Sequence, residues 1–190
     1  TGLVANSGIN VEKQPRLIEF YGCLIEDDGT ILQELYFLCN PEMKIPKESL
    51  EIYEGIENIP NVDKYKDCGQ VVVIFDDLVL DKNQSVIEQY FIRGRKVGRL
   101  EDGSVSCMYL TQSYFKTPKN IRNNCNYFIF RKLSSNRDLT LILGDYALGK
   151  DKNQLNRLYS YATNGKGNFL LIDIFADDNY KFRRNFLEFI

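Results

Sequence analysis

The chain has 190 residues, 44% of them hydrophobic and 26% charged, which is the make-up of a packed domain and excludes a disordered or collagen-like chain. It contains no histidine, which excludes Ser-His-Asp and Cys-His catalysis and His-bearing zinc sites. The net charge of −2 is unevenly spread: residues 1–80 carry 6 Lys and Arg against 15 Asp and Glu, a net −9, whereas residues 81–190 carry 18 against 11, a net +7. The basic excess lies between Lys82 and Arg137 and can meet a polyanion locally. No apolar run approaches the roughly 20 residues that span a bilayer, and no signal peptide opens the chain, so no membrane partner is expected. Cys23, Cys39, Cys68, Cys107 and Cys125 form an odd set without a CxxC pair and read as free thiols of a reducing compartment.

Taken in chain order, Arg16–Glu26 and Thr30–Cys39 are rich in strand-forming residues, and Asp27-Asp28-Gly29 between them predicts a β-hairpin. A Pro-punctuated stretch from Pro41 to Pro60 follows, and a domain boundary is placed there, near Glu48–Glu51. Val71–Phe75 is a continuous apolar run ending in Asp76-Asp77, the pattern of a strand buried on both faces of a parallel sheet. Val86, Ile87, Tyr90 and Phe91 predict a helix within Asn83–Lys96. Strands are expected at Val105–Leu110, Tyr127–Phe130 and Phe169–Ile174, and helices at Leu139–Leu148 and Gln154–Ala162. Strands alternating with helices predict βαβ units, a mainly parallel sheet and a three-layer α/β domain.

Three segments can carry chemistry. In VVVIFDD, residues 71–77, carboxylates emerge at the C-terminal end of the strand, where α/β sheets bind ligands. In a nucleoside triphosphatase the first of two such carboxylates, Asp76, holds Mg²⁺ and the second, Asp77, orients or deprotonates the attacking water. A buried strand followed by an Asp helix cap gives the same pattern. Gln112, in Met108–Ser113 at the end of the strand Val105–Leu110, can present its amide beside a γ-phosphate, or simply close the strand. Arg93 and Arg95, flanking Gly94, can neutralise transition-state charge across a subunit interface, or form a solvated basic helix end. Gly144–Lys150 satisfies GxxxxGK but is rejected as a phosphate loop: Asp151 replaces the required Ser or Thr, and the segment follows a helix instead of a strand.

From about Ile52 to Ile190 the segments VVVIFDDLVLDKNQ, IEQYFIRGRK, SCMYLTQSYFKTPKNIRNNCNYFIFRKLSSNRDL and FLLIDI resemble the DNA-packaging ATPases of large DNA viruses, virophages and polinton-like elements, in the FtsK–HerA superfamily. The resemblance implies a P-loop NTPase fold over 49–190, ATP with Mg²⁺ on Asp76, and Asp77 and Gln112 as catalytic residues with Arg93 or Arg95 as finger. It also implies a homo-oligomeric ring, capsid proteins as partners, and a virion or viral-factory location. Double-stranded DNA would be met by Lys116, Lys119 and Arg122. Because no GxxxxGK[ST] loop occurs in the chain, the ATPase is expected to be truncated and inactive by itself. Residues 1–48 resemble a fragment of a DnaQ-type 3′–5′ exonuclease, of RNase H-like fold, on Thr1-Gly2-Leu3, Arg16-Leu17-Ile18-Glu19-Phe20 and Asn40-Pro41…Ile45-Pro46. The Asp-x-Glu pair that binds metal in that family is not among them. An exonuclease chain and a non-catalytic DNA-binding or virion-assembly protein are the alternative functions.

Overall fold

A computed structural model describes residues 2–5, 16–20, 50–98, 103–146 and 151–190. Its strands are β1 (Gly2–Ala5), β2 (Arg16–Phe20), β3 (Leu50–Tyr53), β4 (Gln70–Asp76), β5 (Ser104–Thr111), β6 (Tyr127–Phe130), β7 (Leu170–Asp173), β8 (Phe182–Arg184) and β9 (Glu188–Phe189). Its α-helices are α1 (Ser85–Arg93), α2 (Lys119–Asn123), α3 (Asn136–Asp145) and α4 (Lys152–Ala162). The chain forms two units, Gly8–Cys107 and Thr1–Ser7 with Met108–Ile190.

In the Gly8–Cys107 unit, β2 lies between β3 and β4 and runs parallel to both, with Leu17 opposite Leu50 and Phe20 opposite Phe75. All five residues Val71–Phe75 of β4 are buried, as a strand covered on both faces requires. Helix α1 starts after Asn83, whose Oδ1 accepts from the Ser85 amide at 3.2 Å, and the buried faces of Ile87, Tyr90 and Phe91 recur at helical spacing. Phe75 meets Tyr90 edge-on at 5.2 Å between ring centroids, and Tyr90 donates its hydroxyl to the Pro60 carbonyl at 2.8 Å.

A strand has two edges, and both edges of β2 are occupied by parallel partners. The hairpin expected over Arg16–Cys39 therefore does not form along Arg16–Phe20; its turn, Asp27-Asp28-Gly29, and its second strand lie outside the described residues.

The other unit is antiparallel. β1 pairs with the end of β5 on one side and β6 on the other, and β6, β7, β8 and β9 follow in order. The protein is thus mixed α/β, with a small parallel sheet and an antiparallel one, where a mainly parallel sheet was expected. Short connections account for the antiparallel run from β7 to β9. A parallel crossover needs a dozen or more residues, but only residues 174–181 join β7 to β8 and 185–187 join β8 to β9, the latter through Asn185 at φ 57°. Residues 112–126, which include the five-residue α2, join β5 to β6, and β1 lies between those two strands.

Aromatic rings fill this unit: Phe128 stacks on Phe130 and touches Tyr146 at 4.5 Å, with Tyr114 edge-on to both phenylalanines. Leu155, Tyr159 and Ala162 are the buried stripe of α4, whose start carries a capping box between Asp151 and Gln154. Asp151, the residue that disqualified GxxxxGK, is thus a helix cap. Gly144 lies inside α3, whereas residues 147–150 are outside the described residues. Cys107 and Cys125 are buried and Cys68 half-buried, none of them in a disulfide, and the Cys125 thiol donates to the Ile121 carbonyl at 2.9 Å; Cys23 and Cys39 are outside the described residues.

Burial raises the pKa of several phenols. That of Tyr114 is pushed up to about 12 from 10.0, and Tyr65, Tyr90, Tyr146 and Tyr159 move the same way, each chiefly by loss of hydration. A raised folded-state pKa gives stability that is whole below pH ~10 and lost as pH rises through the folded value, because the unfolded chain gives up those protons first. Each phenol contributes a slope of up to ~1.4 kcal/mol per pH unit in that window. These phenols should therefore make melting temperature fall steeply from pH ~10 to pH ~12. Folded protein whose tyrosines all titrate near their ordinary value, with no loss of melting temperature, would contradict this burial.

Candidate nucleotide site

β4 delivers the two carboxylates. Asp76 is its last residue and is half-buried; Asp77 follows at φ 52°, ψ 26°, in the left-handed region, with an exposed side chain. A non-glycine residue there is strained by about 1 kcal/mol, and Asp is among the few that tolerate it. The turn is held from below. Leu78 is buried, the Asp81 amide donates to the Leu78 carbonyl at 3.2 Å, and the buried Gln84 carboxamide donates to the carbonyls of Leu78 and Asp81.

The Asp77 side chain makes no cap hydrogen bond to the 3-10 turn Leu78–Leu80 that it precedes, and α1 begins further on at Ser85, with Gln84 at its N-cap position. Asp77 therefore occupies the N-cap position of that turn without a side-chain cap bond. Its carboxylate is held on a fixed turn at the C-terminal end of a parallel strand. Two adjacent carboxylates suit a hard cation such as Mg²⁺, which keeps several waters and takes further oxygens from substrate phosphates. Asp76 and Asp77 fit that donor set.

Arg93 closes α1, and its guanidinium lies 2.6 Å from the Asp63 carboxylate, both side chains being about half exposed. An exposed pair of this kind is weak, of order 0–1 kcal/mol, so Arg93 can leave it. Arg95 is exposed on the 3-10 turn Gly94–Lys96. Gly94 between them is buried against β5: a Cβ there would stand 2.9 Å from the Val105 carbonyl oxygen.

In the second unit Gln112 is exposed in the loop after β5. The loop is rigidly built. The buried Asp138 carboxylate accepts from the Phe115 amide at 3.0 Å and the Ser113 hydroxyl at 3.4 Å, while Thr117 donates to the Ser113 carbonyl at 3.1 Å. Lys116 and Lys119 are exposed beyond it. Arg122 is engaged within the fold: it pairs with Asp145 at 3.1 Å and lies over the Tyr114 ring at 4.7 Å. Asp145 also accepts from the Tyr114 hydroxyl at 2.7 Å, which in turn is 2.9 Å from that of Tyr146.

No protein-family model, curated protein or solved structure matches the chain. The site therefore rests on its residues alone. Three supporting side chains escaped the sequence reading: Asp63 beside Arg93, Asp138 under the Gln112 loop, and Asp145 beside Arg122. Asp138 carried a usable signal, because Ser135-x-x-Asp138 before an apolar run is a helix-start pattern, and the Ser135 hydroxyl does accept from the Asp138 amide at 3.2 Å. Asp63 and Asp145 lie 30 and 23 residues from their partners, and no local pattern marks them.

Proposed function

We propose that the chain is the carboxylate-bearing part of an ATP-driven motor for double-stranded DNA, of the viral packaging type. The observation that carries the reading is Asp77: an exposed carboxylate, unused in capping, on a left-handed turn at the end of the buried parallel strand β4. In this reading Asp76 would hold Mg²⁺, and Asp77 would orient or deprotonate the attacking water. Gln112 would sense the γ-phosphate, and Arg93, after release from Asp63, or Arg95 would reach a neighbouring subunit. ATP with Mg²⁺ supplies the phosphoryl group and its charge neutralisation. Lys116 and Lys119 would meet DNA phosphates, while Arg122, already paired with Asp145, would chiefly fix the fold around them. A P-loop-type arrangement, a homo-oligomeric ring, capsid partners and a virion or viral-factory location belong to the same proposal.

Catalysis of phosphoryl transfer is mostly positioning and electrostatics, and a phosphate loop supplies backbone N–H groups, a Lys and a hydroxyl together. The chain contains no GxxxxGK[ST] sequence. By itself it should hydrolyse ATP no faster than background, and Asp77→Asn should change its melting temperature little, since Asn also tolerates the left-handed region. ATP turnover and thermal melts of the two proteins check this. Turnover by the 190-residue chain that Asp77→Asn abolishes would overturn the assignment of phosphate binding to a loop outside these residues.

A further inference from the structure

In the antiparallel unit, residues after β6 and residues after α4 face each other across a pocket of about 300 Å³, lined by Arg131, Lys132, Gly165, Lys166, Gly167 and Asn168. Three of the six are cations and none is a carboxylate. Elsewhere in the unit Arg122, Lys181, Arg183 and Arg184 each sit against an acidic side chain. Among the described residues Arg131, Lys132 and Lys166 have no carboxylate partner, and all three are exposed.

Both walls are fixed before any ligand arrives. The buried Tyr159 hydroxyl donates to the Arg131 carbonyl at 3.2 Å and accepts from the Leu133 amide at 2.6 Å, which clamps the segment carrying Arg131 and Lys132. Opposite, the Asn168 carboxamide donates to the Asn164 carbonyl and accepts from the Asn185 carboxamide at 3.1 Å, closing the loop that carries Lys166. Gly165 and Gly167 hold φ of 99° and 87°, and a Cβ on Gly167 would meet nothing within 4 Å, so the backbone there is open to close approach.

We propose that this pocket binds a phosphate group, carried by a free polyphosphate or by a nucleic-acid strand. Three unpaired cations around a bare glycine turn match the charge and the several acceptor oxygens of phosphate, Arg131 as a planar fork and the two lysines as point charges. The site lies in a different unit from Asp76 and Asp77 and does not depend on their role.

The test is titration of the whole chain with sodium pyrophosphate, followed by backbone amide NMR, and with a labelled single-stranded oligonucleotide, followed by anisotropy over a salt series. Pyrophosphate should shift the Gly165, Lys166 and Gly167 amides. The triple variant Arg131→Gln, Lys132→Gln, Lys166→Gln should melt like the parent, because all three side chains are exposed, and should bind at least about tenfold more weakly. If the source is a strand, the variant should also lower the log–log salt slope by about 2, three contacts at ~0.7 each; if it is free phosphate, only the pyrophosphate arm should change. The variant Lys152→Gln, Arg157→Gln on α4 should leave both arms within about twofold. Absent pyrophosphate shifts at the glycine turn, unchanged binding by the triple variant, or an equal loss in the α4 variant would each overturn the proposal.

Discussion

Phe75→Ala should remove about 3–5 kcal/mol of stability, enough to unfold a marginal protein. Phe75 is fully buried in β4, edge-on to Tyr90 at 5.2 Å and tilted against Phe91 at 6.1 Å, so it joins the parallel sheet to α1. Truncation loses the transfer free energy of the ring and leaves a cavity, and β4 cannot close it without breaking its pairing with β2. The loss is felt one residue from Asp76. Phe75→Leu, which keeps much of the volume, should lose only about 1–2 kcal/mol. Denaturant melts of the three proteins check this, and an Ala variant within about 1 kcal/mol of the parent would show that Phe75 is not packed as described.

The second large effect is expected at Gly94, whose importance lies in space and not in conformation. Its φ is −51°, which any residue adopts, and alanine would ordinarily improve a helix end. A Cβ there would lie 2.9 Å from the Val105 carbonyl oxygen, with the Val105 Cβ at 3.5 Å and the Cys107 Sγ at 3.6 Å. The nearest atom is backbone of β5 and cannot swing aside. Gly94→Ala should cost about 2 kcal/mol and Gly94→Val about 3. Gly69, where a Cβ would meet nothing within 4 Å, should accept alanine with little change. Equal melting temperatures for Gly94→Ala and Gly69→Ala would contradict the close packing of α1 on β5.

Gly94 also shows what a sequence discloses and what it hides. Arg93-Gly94-Arg95 reads as a basic helix end; only the fold shows the glycine wedged against Val105 and Arg93 turned to Asp63. β4 and β6 were legible because burial writes itself into a run of apolar residues: β6 is Tyr127–Phe130 as expected, and β4, Gln70–Asp76, extends the expected Val71–Phe75 by one residue at each end. α1 and α4 were legible from the spacing of their buried faces. Periodicity reports which residues are buried but not which edge a strand meets. The insertion of β1 between β5 and β6, and the parallel partners of β2, were therefore invisible. Strands of two or three residues such as β8 and β9 are too short to show a period at all. At the candidate site the aspartates were visible as letters, whereas the left-handed turn that leaves Asp77 exposed belongs to backbone geometry.

Joining a strand–GxxxxGK[ST]–helix unit ahead of this chain and measuring DNA-stimulated ATP hydrolysis decides whether Asp76 and Asp77 serve a nucleotide. With the loop supplied, the parent should turn over ATP, and Asp77→Asn should lose at least about a thousandfold in rate while still binding ATP, as expected for a group that acts on the attacking water. Asp76→Asn should raise the Mg²⁺ concentration needed for half-maximal turnover as well as lower the rate. Turnover that survives Asp77→Asn would contradict the reading of this turn as the catalytic end of β4.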